Sequence, residues 1–225
     1  MKKGILFIIG LLVLMTLVTI TYGKLQLKDI NYEVYSKNNT YYYMPYDEVK
    51  RAYLNLPSYV NKNGEVNSLE ELQESSDYIV IAEVKDHIML GEAIINICNV
   101  KKVLKGDISL NSDIYVYDLV VHWSSNSIGY IGGSTPLANN ETYIMFLNKS
   151  GKNNLNKDAY VFSSCIYGHI NKEKSLALEN YKQYTLSSSD ISKYDYVFPN
   201  TDQSNELEIK KYEKLKKSIV DYAGN

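Results

Sequence analysis

The chain has 225 residues, of which 45% are hydrophobic and 22% are charged, and these values are typical of a globular protein with a packed core. A chain of this length is expected to hold one domain with appendages. The formal net charge is −2. A mildly acidic chain is a poor candidate for non-specific binding to phosphate backbones, which requires a clustered positive field, so no nucleic acid is expected among its partners.

An export segment is predicted at the N-terminus. Lys2 and Lys3 precede an uncharged, apolar run over residues 4–22. As a helix this run would be about 28 Å long, close to the ~30 Å hydrocarbon core of a bilayer. The preceding lysines favour a cytoplasmic N-terminus with the remainder of the chain outside. Two outcomes stay open: a single-pass protein anchored in the cell membrane through residues 4–22, or a secreted protein whose signal is cleaved.

Residues 24–67 form a Tyr- and Asn-rich N-terminal extension, with a short helix predicted over residues 47–54. A second short helix is predicted to begin after Ser68 and to end near residue 75. Ser68 and Glu71 have the spacing of a capping box, in which the serine hydroxyl accepts from the amide of Glu71 and the glutamate reaches back to the N-cap amide.

Five β-strands are predicted in the middle of the chain, because β-branched and aromatic residues recur there in short runs separated by turns. The glycine-bearing segment 122–140, between the third and fourth runs, is predicted to be a loop. Five short strands of this kind favour a barrel or a sandwich. The runs cover residues 77–84, 93–103, 113–121, 142–147 and 159–166.

The C-terminal residues 206–222 are predicted to form an amphipathic helix that packs on the strands. Its apolar residues recur at steps of three and four, which places them on one stripe; they are Ile209, Tyr212, Leu215, Ile219 and Tyr222. The chain is accordingly divided into a signal or transmembrane helix (1–23), the extension (24–67), a β-barrel domain (68–172) and a C-terminal segment (173–225).

The runs SSDYIVIAEV, NICNVKKVLKGD, DIYVYD, ETYIMFL and AYVFSSCIYGHI resemble the netrin-like/TIMP-like domain, a variant of the OB barrel. The matched features are Ser76-Asp77 at the first strand, Val103-Leu104-Lys105-Gly106 at the end of the second, and Glu141-Thr142-Tyr143 at the fourth. The resemblance covers residues 75–172 and implies an extracellular barrel. Tissue inhibitors of metalloproteases act through an N-terminal cysteine, and this chain has no cysteine before Cys98, so that mechanism is not carried over.

Cys98 and Cys165 are the two cysteines and lie on the second and fifth predicted strands. An oxidising compartment would permit a disulfide between them. A bridge requires Cα atoms within about 7 Å, which the sequence does not give. Two interpretations stay open: a disulfide, or two separately buried thiols.

No catalytic, cofactor or metal motif is found in the sequence. His87, His122 and His169 lack the short spacings of metal ligands, so no metal site is expected. Ser134, His122 and Asp118 could be combined into a hydrolase triad. The residues around Ser134 do not form a nucleophile elbow, however, so a hydrolase is not expected either.

The aromatic residues give the strongest indication of binding. Tyr41, Tyr42, Tyr43 and Tyr46, together with Trp123 in the predicted loop, could form a surface that contacts a sugar or a peptide, because such rings combine contact area with a polar tip. Since the chain contains 22 tyrosines, packing between strands is the alternative fate of these rings.

The sequence as a whole predicts a mainly β (α+β) fold: a five-stranded OB/TIMP-like barrel with short flanking helices, a C-terminal amphipathic helix and one N-terminal transmembrane or signal helix. The expected function is a membrane-anchored or secreted extracytoplasmic binding module, non-enzymatic and without a cofactor, for a cell-wall or protein ligand. The alternatives are a cell-envelope enzyme with an unrecognised site and a protein similar to protease inhibitors.

Overall fold

The computed structural model describes residues 40–44, 66–90, 93–124, 127–131, 134–153, 156–179, 185–187, 194–199 and 205–224. The helices within these ranges are α1 (Leu69–Glu74) and α2 (Asn205–Gly224). The strands are β1 (Thr40–Met44), β2 (Tyr78–Leu90), β3 (Ala93–Lys105), β4 (Asp113–Ser124), β5 (Ser127–Ile131), β6 (Thr142–Lys152), β7 (Asp158–Phe162), β8 (His169–Ile170), β9 (Ser175–Glu179), β10 (Thr185–Ser187) and β11 (Tyr194–Pro199).

Five of these strands close into a barrel. Strand β2 pairs with β3 and β6, β3 pairs with β4, and β6 pairs with β7, all antiparallel. A short parallel pairing between β4 and β7 closes the ring, with Tyr115 opposite Ala159 and Val116 opposite Tyr160. The order β2-β3-β4-β7-β6 around the ring is compatible with an OB-like fold. The predicted mainly β fold with a five-stranded barrel is thus confirmed.

The five predicted strands are all present, although their ends differ from the prediction. Strand β2 continues to Leu90, because its distal half pairs with β3. Strand β7 ends at Phe162, because the Ser164 hydroxyl accepts from the amides of Ile166 and Tyr167 and turns the chain. The loop predicted over residues 122–140 was wrong in part: β4 runs to Ser124, and β5 lies within it and pairs with β4 and β1.

The barrel interior is filled mostly by apolar side chains. Alternate residues of each strand point inward, as the two-residue period of a strand dictates. Burial of a large apolar side chain stabilises the fold by about 1.5–3 kcal/mol. The interior residues are Val80, Ala82, Val84, Cys98, Val100, Ile114, Val116, Leu137, Tyr143, Met145, Leu147, Tyr160 and Phe162.

Helix α2 packs against the outer face of the barrel through its predicted stripe. Tyr212, Leu215 and Ile219 are buried in one cluster with apolar residues of β2 and β6. The ring of Tyr212 is stacked between Tyr167 and Tyr196, at centroid distances of 5.6 and 5.7 Å. The amphipathic helix predicted over residues 206–222 is therefore confirmed.

Helix α1 begins at its predicted cap. The Ser68 hydroxyl accepts from the amide of Glu71 at 3.2 Å. The Glu71 carboxylate accepts from the amide of Asn67 at 2.8 Å, one residue before the expected partner. At the other end, the ammonium of Lys105 donates to the carbonyl of Gln73 in the last turn of the helix, an acceptor that the helix leaves open, and to the carbonyl of Ser76 just after the helix.

The export helix predicted over residues 4–22 and the short helix over 47–54 lie outside the described residues, so both stay predictions. Of the two helices that the structure does describe, neither is long and apolar enough to span a bilayer.

Candidate functional site

A cleft of about 720 Å³ lies between the outer face of the barrel and the last turn of α2. Its walls are largely aliphatic: Ile81 comes from β2, Ile144 from β6, Ile170 from β8, and Val220 and Ala223 from α2. Outward-pointing positions of three barrel-associated strands thus meet one helix. A concave, mostly apolar site with a few convergent polar groups is the usual form of a small-ligand site.

Three polar side chains of the cleft wall converge on one carboxylate oxygen of Glu141, and we call the three together with Glu141 the Glu141 cluster. Oε2 of Glu141 accepts from the Lys174 ammonium at 2.6 Å, the Tyr143 hydroxyl at 2.7 Å and the side-chain amide of Asn171 at 3.2 Å. The Lys174 ammonium also donates to the Tyr143 hydroxyl at 3.1 Å. Charge-assisted bonds of this kind fix the geometry of all four groups.

Tyr143 acts in this cluster as a hydrogen-bonding group. Burial, followed by the hydrogen bond to Glu141, raises the pKa of its hydroxyl far above the usual value of 10.0. The hydroxyl donates to Glu141 and accepts from the Ala138 amide at 3.0 Å and from Lys174. It therefore stays protonated at physiological pH, where it holds the cluster together rather than transferring a proton.

The charged side chains that line the cleft form two pairs. Lys174 lies against Glu141, and the exposed Lys172 lies 3.6 Å from Glu173. The wall thus carries no net charge from these four groups. Among the described residues no donor reaches the second oxygen of Glu141, Oε1, and the Glu141 side chain is one-third exposed. The cleft therefore offers aliphatic surface and an acceptor, without a field that would select an ion.

A buried ion pair fastens α2 beside the cleft. The ammonium of Lys216 lies 2.5 Å from Oδ2 of Asp195 on β11, and also donates to the carbonyls of Asn171 at 2.7 Å and Lys174 at 2.5 Å. Oδ1 of Asp195 accepts from the backbone amide of Asn171 at 3.0 Å. Burial raises the pKa of Asp195 although Lys216 opposes the shift. The turn 171–174 is thus held at both ends.

Ser134 of the proposed triad pairs with His169. The Ser134 hydroxyl lies 2.7 Å from Nε2 of His169, and both residues are buried. Burial, aided by the charges of Lys174 and Lys216, lowers the pKa of His169 to about 3. The ring packs against Tyr143 and Phe162 at 5.6 and 5.1 Å. Since neither residue faces solvent, the pair belongs to the packing behind the cleft.

Asp118 and His87 belong to a separate polar chain inside the barrel. The Asn96 amide donates to Asp118 at 3.1 Å, and its oxygen lies 2.5 Å from Nδ1 of His87. Because the Asn96 nitrogen donates to a carboxylate, its oxygen faces His87, and Nδ1 is therefore the protonated nitrogen. Burial lowers the pKa of His87 to about 4 and raises that of Asp118 to about 6.

The two cysteines are free thiols and both are buried. Cys98 lies in the barrel interior on β3, and Cys165 lies in the turn after β7. Burial raises the pKa of Cys165 to about 12 and that of Cys98 still further. The thiolate, which is the reactive form, is therefore scarce at both positions.

Four of the five aromatic residues proposed as a binding surface lie on strands that the structure describes. Tyr41, Tyr42 and Tyr43 lie on β1, whose backbone pairs with β5 and β10. Trp123 lies on β4 and not in a loop. Tyr46 lies outside the described residues. The binding role of these five residues stays a prediction.

The residues that do shape the cleft were not predicted as a site from the sequence. Glu141 and Tyr143 were noticed only as part of a strand motif. The position of Lys216 could have been recognised from the sequence. It is four residues after Tyr212 and three before Ile219, which places it on the buried side of α2. A lysine at such a position requires a buried partner, and Asp195 is that partner.

Within the described ranges, no group of three or more His, Cys, Asp or Glu side chains is arranged to hold a metal ion. No protein-family model matches the chain, and no curated protein is significantly similar to it.

Proposed function

We propose that the protein is an extracytoplasmic binding module whose ligand occupies the cleft between the barrel and α2. The ligand class that fits is a small neutral amphiphile, with an aliphatic body and an uncharged polar head. The observation that supports this most is the combination of aliphatic walls with paired charges in one cleft of about 720 Å³.

The expected pose follows from the chemistry of the walls. The aliphatic body would lie against Ile81, Ile144 and Val220, because each buried methylene contributes about 0.8 kcal/mol. The polar head would donate to Oε1 of Glu141 and accept from the Lys174 ammonium. A charged head would gain little, since these two groups already neutralise each other, and it would lose its hydration.

Photo-crosslinking tests this proposal. The full chain in lipid nanodiscs is irradiated with a decanol that carries a diazirine in its alkyl chain, and the labelled peptides are mapped. Val220→Trp fills the cleft, and Lys217→Trp adds the same ring on the solvent face of α2. Labelling is expected in the peptides around Ile144, Ile170 and Val220, and only Val220→Trp should remove it. Uniform labelling along the chain, or labelling that persists in Val220→Trp, would refute the proposal.

The location outside the cytoplasm is part of the same proposal. It rests on Lys2 and Lys3 and on the uncharged run over residues 4–22, and a chain held at a membrane would meet amphiphiles there. Cell fractionation with an external protease tests it. The barrel domain should be recovered outside the cell or be degraded on intact cells. Recovery of the whole chain from the cytosol, with an untouched N-terminus and no lipid association, would contradict it.

We further propose that the barrel is a netrin-like/TIMP-like variant of the OB-like fold. Support comes from the ring order of the five strands and from the sequence runs that resemble that domain. Because no cysteine precedes Cys98, we expect no inhibition when a zinc metalloprotease is titrated with the protein. Stoichiometric inhibition would instead support the alternative of a protease inhibitor.

A further inference from the structure

We infer that Lys216 is a positioning residue for the cleft: it orders the turn 171–174 and thereby couples the docking of α2 to ligand binding. The inference rests on the proposed function, because it states how the same cleft is assembled.

Lys216 binds both ends of the turn. Its ammonium donates to the carbonyl of Asn171 and to the carbonyl of Lys174, which are the first and last residues of the turn. Within the turn, the Asn171 side chain accepts from the Glu173 amide at 2.9 Å. Asn171 and Lys174 are also two members of the Glu141 cluster. The group that fixes this turn therefore fixes half of the polar wall of the cleft.

The same helix supplies an apolar wall of the cleft. Val220, Ala223 and Gly224 lie one to two turns after Lys216 and line the cleft from the other side. Because Val220 lies about one helical turn after Lys216, displacement of Lys216 would shift both walls together. Lys102 of β3 adds a second attachment by donating to the carbonyl of Ala223 at 3.2 Å. An undocked α2 would leave no cleft.

Neutralisation of Asp195 alone does not account for these contacts. An ammonium that served only as a counterion would need one contact with the carboxylate. The other two donors of Lys216 bond to backbone carbonyls of the turn, and the second oxygen of Asp195 accepts from the backbone amide of Asn171. Both partners of the ion pair are thus directed at the turn that carries the cleft residues. This predicts an effect on the cleft that is separable from an effect on stability.

The test uses three variants of the full chain in nanodiscs. Lys216→Met leaves Asp195 as a stranded buried carboxylate, whereas Asp195→Asn with Lys216→Met removes that charge as well. Lys217→Met is the control, since Lys217 is exposed on the same helix. The measurements are the urea midpoint, the hydrogen exchange of the amides in the turn 171–174, and the yield of diazirine-decanol labelling.

The double variant is expected to recover most of the urea midpoint that Lys216→Met loses. Its turn amides should nevertheless exchange at least about tenfold faster than in the wild type, and the labelling yield should fall by a similar factor. Lys217→Met should leave all three unchanged. Wild-type exchange and wild-type labelling in the double variant would overturn the inference. If decanol fails to label the wild type, the proposed function fails, while the exchange of the turn still decides the role of Lys216.

A second measurement needs no variant. Coupling between two equilibria is reciprocal, so decanol at saturation should slow the exchange of α2 amides near Lys216, a full turn away from the cleft-lining residues of the helix. Protection confined to the residues that touch the cleft would contradict the coupling.

Discussion

The ammonium of Lys216 and the carboxylate of Asp195 lie 2.5 Å apart, and the two side chains retain only 14% and 1% of their solvent exposure. One comes from the C-terminal helix and the other from β11. Their contact, with the shared turn at residues 171–174, joins three separate segments of the chain behind the cleft.

Substitution of Lys216 and substitution of Asp195 should lower the free energy of unfolding by different amounts. Lys216→Met strands a buried carboxylate and is expected to cost about 3–5 kcal/mol of unfolding free energy. Asp195→Asn should cost less, because Lys216 keeps two carbonyl acceptors. Urea unfolding of both variants measures the difference. A larger loss for Asp195→Asn would show that the backbone contacts of Lys216 contribute little.

Acid should destabilise the protein through its buried histidines. The folded state keeps His169 and His87 neutral, with pKa values near 3 and 4 instead of 6.5. As the pH falls through 6.5 the unfolded chain binds protons that the folded chain does not, so the free energy of unfolding falls from pH 6.5 towards 4. Asp118 has the opposite sign, since its pKa is raised to about 6, and offsets part of the loss.

His169→Gln isolates one histidine from this pH dependence. Glutamine can still bond to Ser134 but does not titrate. The loss of unfolding free energy between pH 6.5 and 4 should therefore shrink, by about 3 kcal/mol at most, since each unit of pKa shift corresponds to about 1.4 kcal/mol. Urea midpoints of variant and wild type at several pH values measure it. Parallel pH profiles would mean that His169 titrates normally in the folded protein.

The two thiols should be inert in the native protein. Both are buried, and burial raises the pKa of each. We expect no reaction of Cys98 or Cys165 with iodoacetamide under native conditions, and two equivalents of alkylation after unfolding without reductant. Alkylation after unfolding that appears only once a reductant is added would demonstrate a disulfide.

Gly168 should tolerate no side chain. A Cβ at this position would lie 2.3 Å from the Ser164 carbonyl oxygen and 2.5 Å from Cβ of Phe162. Gly168→Ala is therefore expected to lower the unfolding free energy by about 1–3 kcal/mol, as overpacking does. Gly224→Ala is the control, since nothing lies within 4 Å of a Cβ there. Equal urea midpoints for the two variants would disprove this tight packing.

The barrel was predictable from the sequence because its strands follow a local rule. Val80, Ala82 and Val84 alternate with outward-facing residues, and this alternation marks a strand whatever its partners are. The strand ends were less predictable, since they depend on pairing: β2 extends past Val84 because β3 continues beside it, with Ile88 opposite Ile95. Strand β5 was missed because its ladder depends on β4 and β1.

The cleft could not be predicted in the same way, because its residues come from distant parts of the chain. Glu141 and Lys174 are ordinary charged residues in the sequence, and only the approach of the turn after β8 to β6 brings them into contact. The spacing of Lys216 places it on the buried side of its helix, but nothing in the sequence shows that Asp195 is its partner. Sequence periodicity reports which side of a helix is buried, but not which polar partner is buried with it.

Amide hydrogen exchange of the full chain in nanodiscs, with decanol, decanoate and decylammonium compared at equal concentrations, tests the cleft most directly. Decanol is expected to slow exchange in residues 141–144, 170–174 and 220–224 more than either charged analogue, and Val220→Trp should abolish that protection. Absence of protection in these three segments at saturating decanol, or equal protection by the charged analogues, would contradict a cleft built for a neutral amphiphile.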